Sequence, residues 1–225
     1  MPEASAGRPS RYEVIVFDWD GTLMDSTATI AQSIQLACRD LGLPVPPRER
    51  AAHVIGLGLH DALKYAVPEL PEARVPELVE RYRHHYLSRD HDLVLFDGAR
   101  ELLVRLKERG LFLAVATGKS RMGLNRALGV AGIAPLFDAT RCADESFSKP
   151  HPGMLLDLMD QLGVERDRVL MIGDTTHDLR MAENARVDGL GVAWGAHPRE
   201  ELAALPSRGV LGSMAELSAW LDANA

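Results

Sequence analysis

The sequence has few of the features that would tie it to a membrane, a nucleic acid or an oxidising compartment. It holds only two cysteines, Cys38 and Cys142, far apart and without metal or redox spacing, so no disulfide framework is implied and both read as free thiols in small packing positions. No stretch approaches the ~20 consecutive apolar residues of a membrane span. Lys and Arg total 25 against 32 Asp and Glu, a net charge of −7, which offers no basic surface to nucleic acid or anionic lipid. Internal repeats are absent, and low complexity is confined to residues 1–11, rich in Pro, Ser, Ala and Gly. That segment lacks the apolar centre of a signal peptide and reads as a flexible tail, so a cytoplasmic location is expected.

What is present suits a catalytic α/β protein. With 225 residues, 46% of them hydrophobic, the chain can bury one substantial core and a smaller accessory one. The apolar runs at residues 12–17, 111–116 and 168–172 read as buried parallel strands, with further strands expected near residues 138–141 and 189–193. Helical spacing appears between them, including Leu102, Leu103 and Leu106 before Gly110, and a terminal helix whose Met214, Leu217, Trp220 and Leu221 are expected in the core. Alternation of this kind predicts a Rossmann-like parallel sheet with helices on both faces.

The first strand is followed by something different. Residues 25–96 show no convincing strand; Ile30, Ile34, Ala37 and Leu41 recur at helical spacing before Gly42 and Pro44, and residues 48–55, 59–67 and 75–88 read as further helices. Gly56-Leu57-Gly58 either ends a helix or forms a loop that dips toward a ligand. His84 and His85 lie in a polar helical stretch and read as solvated.

The chemistry concentrates at strand ends. Phe17-Asp18-Trp19-Asp20-Gly21-Thr22-Leu23 sets two carboxylates two residues apart where the first strand stops, with Gly21 for the turn. Such a pair repels unless a cation sits with it, which invites a hard divalent metal such as magnesium. An aspartate can also be a nucleophile that accepts a phosphoryl group, with a second carboxylate as general acid and base. Ala116-Thr117-Gly118-Lys119-Ser120 places a hydroxyl and backbone N–H groups between a strand and a helix, an arrangement suited to phosphate, although such turns also serve simply as caps. In Ser148-Lys149-Pro150-His151-Pro152 two prolines stiffen the chain around one cation, which would suit the charge of a phosphoryl transfer; a solvated lysine before a helix is the plainer reading, and His151 reads as a linker residue. Gly173-Asp174-Thr175-Thr176-His177-Asp178 ends the run at 168–172. Asp174 is the better metal ligand, while Asp178 orients Asp174 or Lys149, or is an ordinary acid in a helix's first turn. His177 is set aside for want of a second histidine at ligand spacing.

Taken together and in this order, these four segments resemble the motifs of the haloacid dehalogenase superfamily, in its helical-cap, phosphoglycolate phosphatase-like branch. The resemblance spans residues 17–178 and implies that Asp18 is the nucleophile, Asp20 the general acid and base, and Thr117, Gly118 and Lys149 the phosphate holders. It further implies a Mg2+ ion held by Asp18, Asp174 and the backbone carbonyl of Asp20. The residues of the helical block, 25–96, would form a small cap domain inserted into an α/β core made of residues 1–24 and 97–225. Because dehalogenase members lack the second aspartate and ion-pumping members carry threonine there, Asp20 favours a phosphatase or phosphomutase. The expectation is a magnesium-dependent hydrolase of a small phosphorylated metabolite resembling 2-phosphoglycolate, acting as a monomer or homodimer. A sugar phosphomutase, a pyrophosphatase and, more distantly, a non-catalytic binding module are the alternatives.

Overall fold

A computed structural model describes residues 11–225. Six strands form one parallel sheet: β1 (Val14–Phe17), β2 (Phe112–Thr117), β3 (Ala139–Cys142), β4 (Val169–Gly173), β5 (Asp188–Val192) and β6 (Val210–Leu211), in the order β3-β2-β1-β4-β5-β6. The four residues of β1 are buried, as a central strand covered on both faces requires. Alternation divides its side chains: Ile15 and Phe17 face α5 (Ala99–Glu108), α6 (Arg121–Ala131) and α10 (Met214–Asn224), while Val14 and Val16 face α7 (Gly153–Leu162) and α8 (Thr176–Ala185).

A separate apolar cluster fills the space among α1 (Thr27–Asp40), α2 (Arg48–His53), α3 (Leu59–Ala66) and α4 (Val75–Leu87), with Ile34, Leu63 and Leu78 at its centre. The two strands of chain that join this block to the sheet run together: Asp25 N–H donates to the Val94 carbonyl and Phe96 N–H to that of Leu23. Isolated bridges also link Met24 to Asp20 and to Leu95.

Three differences from the sequence reading have simple causes. The two-residue strand β6 and the five-residue helix α9 (Arg199–Ala203) were not expected, because neither is long enough to show a period. In α10, Leu217 and Leu221 are fully buried as expected, but Met214 and Trp220 are only half-buried against the core's margin, where Trp220 stacks on Tyr12 at 6.3 Å. Of the expected tail, residues 1–10 lie outside the described residues, and Arg11 donates to Asp188 at 3.1 Å.

Candidate active site

The acids come from adjacent strands. β2, β1 and β4 lie side by side, so Thr117 at the end of β2, Asp18 just after β1 and Asp174 just after β4 meet at the carboxyl edge of the sheet, where open α/β sheets place ligands. Asp18, Thr117, Lys149, Asp174 and Asp178 are all buried, at 0–2% exposure, and Asp20 at 7%. Carboxylate oxygens of Asp18, Asp174 and Asp178 lie within 4.8 Å of one another.

One lysine serves this trio. Lys149 Nζ stands 2.5 Å from Asp18 Oδ1 and 2.6 Å from Asp178 Oδ1. Of the two partners expected for Asp178, Lys149 is the one its carboxylate contacts. Its other oxygen, Oδ2, accepts from the Thr175 N–H and hydroxyl at 3.1 and 2.6 Å, and Thr175 Oγ1 in turn caps α8. The same capping box that starts the helix therefore fixes the acid. Asp174 accepts from Thr22 Oγ1 at 2.8 Å and from the Ala196 N–H at 2.7 Å. It is packed so closely against Gly21 that a methyl group there would overlap its carboxylate, and Gly21 also holds φ at +86°.

The charges do not balance. Burial, only partly offset by Lys149, pushes the Asp18 carboxyl well above its ordinary range, with Asp178 and Asp174 adding repulsion. Burial and Asp178 push Asp174 up to about 7. Burial works against the Lys149 ammonium, but Asp178 and Asp18 outweigh it and hold its pKa above the usual lysine value. Among the described residues Asp18 Oδ2 has no hydrogen-bond partner, an exceptional state for a buried carboxylate oxygen. An unsatisfied hard oxygen beside surplus negative charge is the donor set that a divalent cation of the magnesium type fits.

Asp20 has different surroundings. Its Oδ1 accepts from Ser26 Oγ at 2.7 Å and lies 3.0 Å from Lys119 Nζ. Lys119 also donates to the Tyr86 hydroxyl at 2.8 Å, tying α4 to the end of β2. Thr117 Oγ1 accepts from the Lys119 N–H at 3.1 Å. Gly118 is covered by the Gly56-Leu57-Gly58 loop, since a methyl group on it would collide with the carbonyls of Gly56 and Leu57. Of the two readings of that loop, the one that dips toward the site describes its position, and the Gly58 N–H fixes it to Ser148 Oγ at 2.9 Å.

Sequence reading missed several of these residues. Lys119 lay inside a quoted segment but was given no part, and Thr22 lay inside another; Ser26, Tyr86 and Ala196 carried no local signal. The dismissal of His177 needs correction. His53 at the end of α2 and His197 after β5 stand with it, ring nitrogens within 4.8 Å, and both His177 Nε2 and His197 Nε2 lie 3.0 Å from the His53 carbonyl oxygen. Sequence distances of 124 and 20 residues hid the group. Both His197 nitrogens are engaged, since Nδ1 accepts from the Thr176 N–H, so the trio joins the helical block to the sheet.

Residues 15–192 match the sequence model of the haloacid dehalogenase-like hydrolases. The chain is 36% identical over 211 residues to "Probable phosphatase IndB" of Dickeya dadantii, with 91% of each chain covered. It is 32% identical over 186 residues to a phosphoglycolate phosphatase of Agrobacterium fabrum, with 80% of each covered. The crystal structure of a predicted phosphoglycolate phosphatase from Haemophilus somnus superposes with a TM-score of 0.84 at 26% identity, covering 93% of this chain and 98% of the other. With the parallel sheet and the buried acids at its carboxyl edge, these likenesses establish that the chain belongs to the haloacid dehalogenase-like hydrolases, as an enzyme of their phosphatase type.

Proposed function

We propose that the protein is a magnesium-dependent phosphomonoesterase that works through an aspartyl phosphate on Asp18. The observation that carries this reading is the Asp18 carboxylate itself, buried at a strand end with one oxygen held by Lys149 and the other without a hydrogen-bond partner among the described residues. Asp18 and Asp174, with the backbone carbonyl of Asp20, would hold the Mg2+. When bound, the ion keeps the carboxylates ionised and draws charge from the phosphoryl oxygens.

The remaining work falls to side chains of the chain. Asp18 attacks phosphorus in line and expels the alcohol oxygen; Asp20, two residues on, gives that oxygen a proton. Lys149, kept cationic by Asp18 and Asp178, and the Thr117 hydroxyl stabilise charge on the transferring oxygens. Asp20 then takes a proton from water, which attacks the aspartyl phosphate and frees phosphate and Asp18. Asp178 touches no reacting atom in this scheme and positions Lys149. Residues 25–96 act as a cap domain over a core made of residue 97 onward and the chain before residue 25, closing the site against water through the Gly56–Gly58 loop.

The test is phosphate release from 2-phosphoglycolate, the reference substrate supplied by the relatives, alongside sugar phosphates, nucleotides and pyrophosphate, with magnesium present and chelated. Magnesium-dependent release that Asp18→Asn abolishes is the expected result. Undiminished release after chelation would remove the metal from the scheme, and transfer to a sugar hydroxyl without net release would replace hydrolysis by mutase chemistry.

A further inference from the structure

We infer that the alcohol this enzyme releases best is apolar and much larger than glycolate. The inference rests on the phosphomonoesterase reading and specifies what leaves. A cavity of about 630 Å³ lies between the helical block and the end of β2. Of the four buried acids at the sheet edge, only Asp20 lines it. If Asp20 protonates the departing oxygen, the rest of the alcohol must extend on this side. The cavity is therefore the place of the leaving group, while the phosphoryl group sits deeper, among Asp18, Lys149 and Thr117.

Its size and its walls agree on the occupant. Ligand sites of about 300–1,000 Å³ enclose molecules of drug size, and glycolate, among the smallest of acids, would leave most of this space to water. The exposed lining is mainly apolar, with Ile30, Ile34, Val54, Leu57, Tyr82 and Phe147 among the side chains that supply it. Phe147, 69% exposed, is joined along the cavity by the exposed Met122 and Leu87, so its mouth presents several large apolar side chains together rather than one. The Tyr82 and Tyr86 rings stack at 5.8 Å and add an aromatic face.

A glycolate carboxylate would need a cation, and the inner ones are committed. Lys119 is engaged by Asp20 and Tyr86, and Arg126 by Asp90 at 2.5 Å. Arg83 lines the cavity from an exposed position, and the exposed Asp61 and Asp144, elsewhere on the same lining, carry opposite charge. Moving a carboxylate into such walls is costly, whereas each methylene removed from water is favourable.

The measurement is kcat/KM for methyl, ethyl, butyl, octyl and phenyl phosphate and for 2-phosphoglycolate, with magnesium. The expected result is a rise of about fourfold per methylene through the short members, with octyl and phenyl phosphate above 2-phosphoglycolate. Phe147→Ser, at an exposed position that folding does not need, is expected to flatten the dependence on chain length. A flat series with 2-phosphoglycolate preferred would overturn the inference and leave the phosphatase reading standing; loss of that preference in Arg83→Ala would then identify the carboxylate's partner. Absence of turnover on every ester would instead sink the phosphatase reading. In that case calorimetric binding of the matching alkylphosphonates decides the cavity's preference: affinity rising with chain length supports it, and equal or absent binding overturns it.

Discussion

Three buried carboxylates share one lysine, and that imbalance makes the site a source of instability as well as reactivity. Replacing Asp18 by asparagine removes a buried charge whose second oxygen has no hydrogen-bond partner among the described residues, so Asp18→Asn is expected to lose turnover by a factor of at least about 10⁴ while melting at the same temperature as the parent or higher. Lys149→Met does the reverse. It strands Asp18 and Asp178 without their cation and is expected to cost about 3–5 kcal/mol in urea unfolding. Asp174 gives a pH signature. Its carboxyl is raised from an ordinary 3.8 to about 7, so between these values the folded chain holds a proton that the unfolded chain has released. The stability it contributes is complete below the lower value and lost as pH rises through the upper one. The metal-free protein should therefore melt higher at about pH 5 than at about pH 8 by more than its Asp174→Asn variant does, and equal differences in the two proteins would contradict the assignment.

At the scale of elements, the sequence revealed the strands better than what they deliver. β1, β2 and β4 were legible because central parallel strands must be apolar on both faces, and Asp18, Thr117 and Asp174 were legible because chemistry-bearing residues followed them directly. Asp178 was visible with Asp174 and Lys149 as its candidate partners, but the choice between them was not: the pairing with Lys149 crosses 29 residues and depends on where the Pro-bounded loop ends. Lys119 and Tyr86 are 33 residues apart, on a loop and on α4, and no local pattern announces their contact or its link to Asp20. The histidine trio was hidden for the same reason. The loop at Gly56–Gly58 supplies the prediction at this scale. A methyl group at Gly118 overlaps the Gly56 and Leu57 carbonyls, so Gly118→Ala must push the loop away. The expected outcome is a KM at least about fivefold higher, from loss of contacts worth about 1 kcal/mol, with an unchanged far-ultraviolet circular dichroism spectrum. A variant whose KM matches the parent's would separate the loop from substrate binding.

Across the described residues, one apolar cluster lies on each face of the sheet and a third fills the space among α1–α4. The third is joined to the sheet by the paired segments at Met24 and Leu95 and by the His53 carbonyl that accepts from two imidazoles of the sheet side. Among the described residues no helix is long and apolar enough to cross a membrane. Magnesium is expected to raise the melting temperature of the whole chain, since an ion that binds only the folded acids adds its binding free energy to stability; Asp18→Asn and Asp174→Asn should each reduce the shift. The central claim, covalent transfer to Asp18 followed by hydrolysis, is tested most directly by the configuration at phosphorus. With a phosphomonoester made chiral by oxygen isotopes and sulfur, two successive in-line displacements predict that the thiophosphate released to isotopically labelled water retains configuration. Inversion would mean a single attack by water, and would contradict the account.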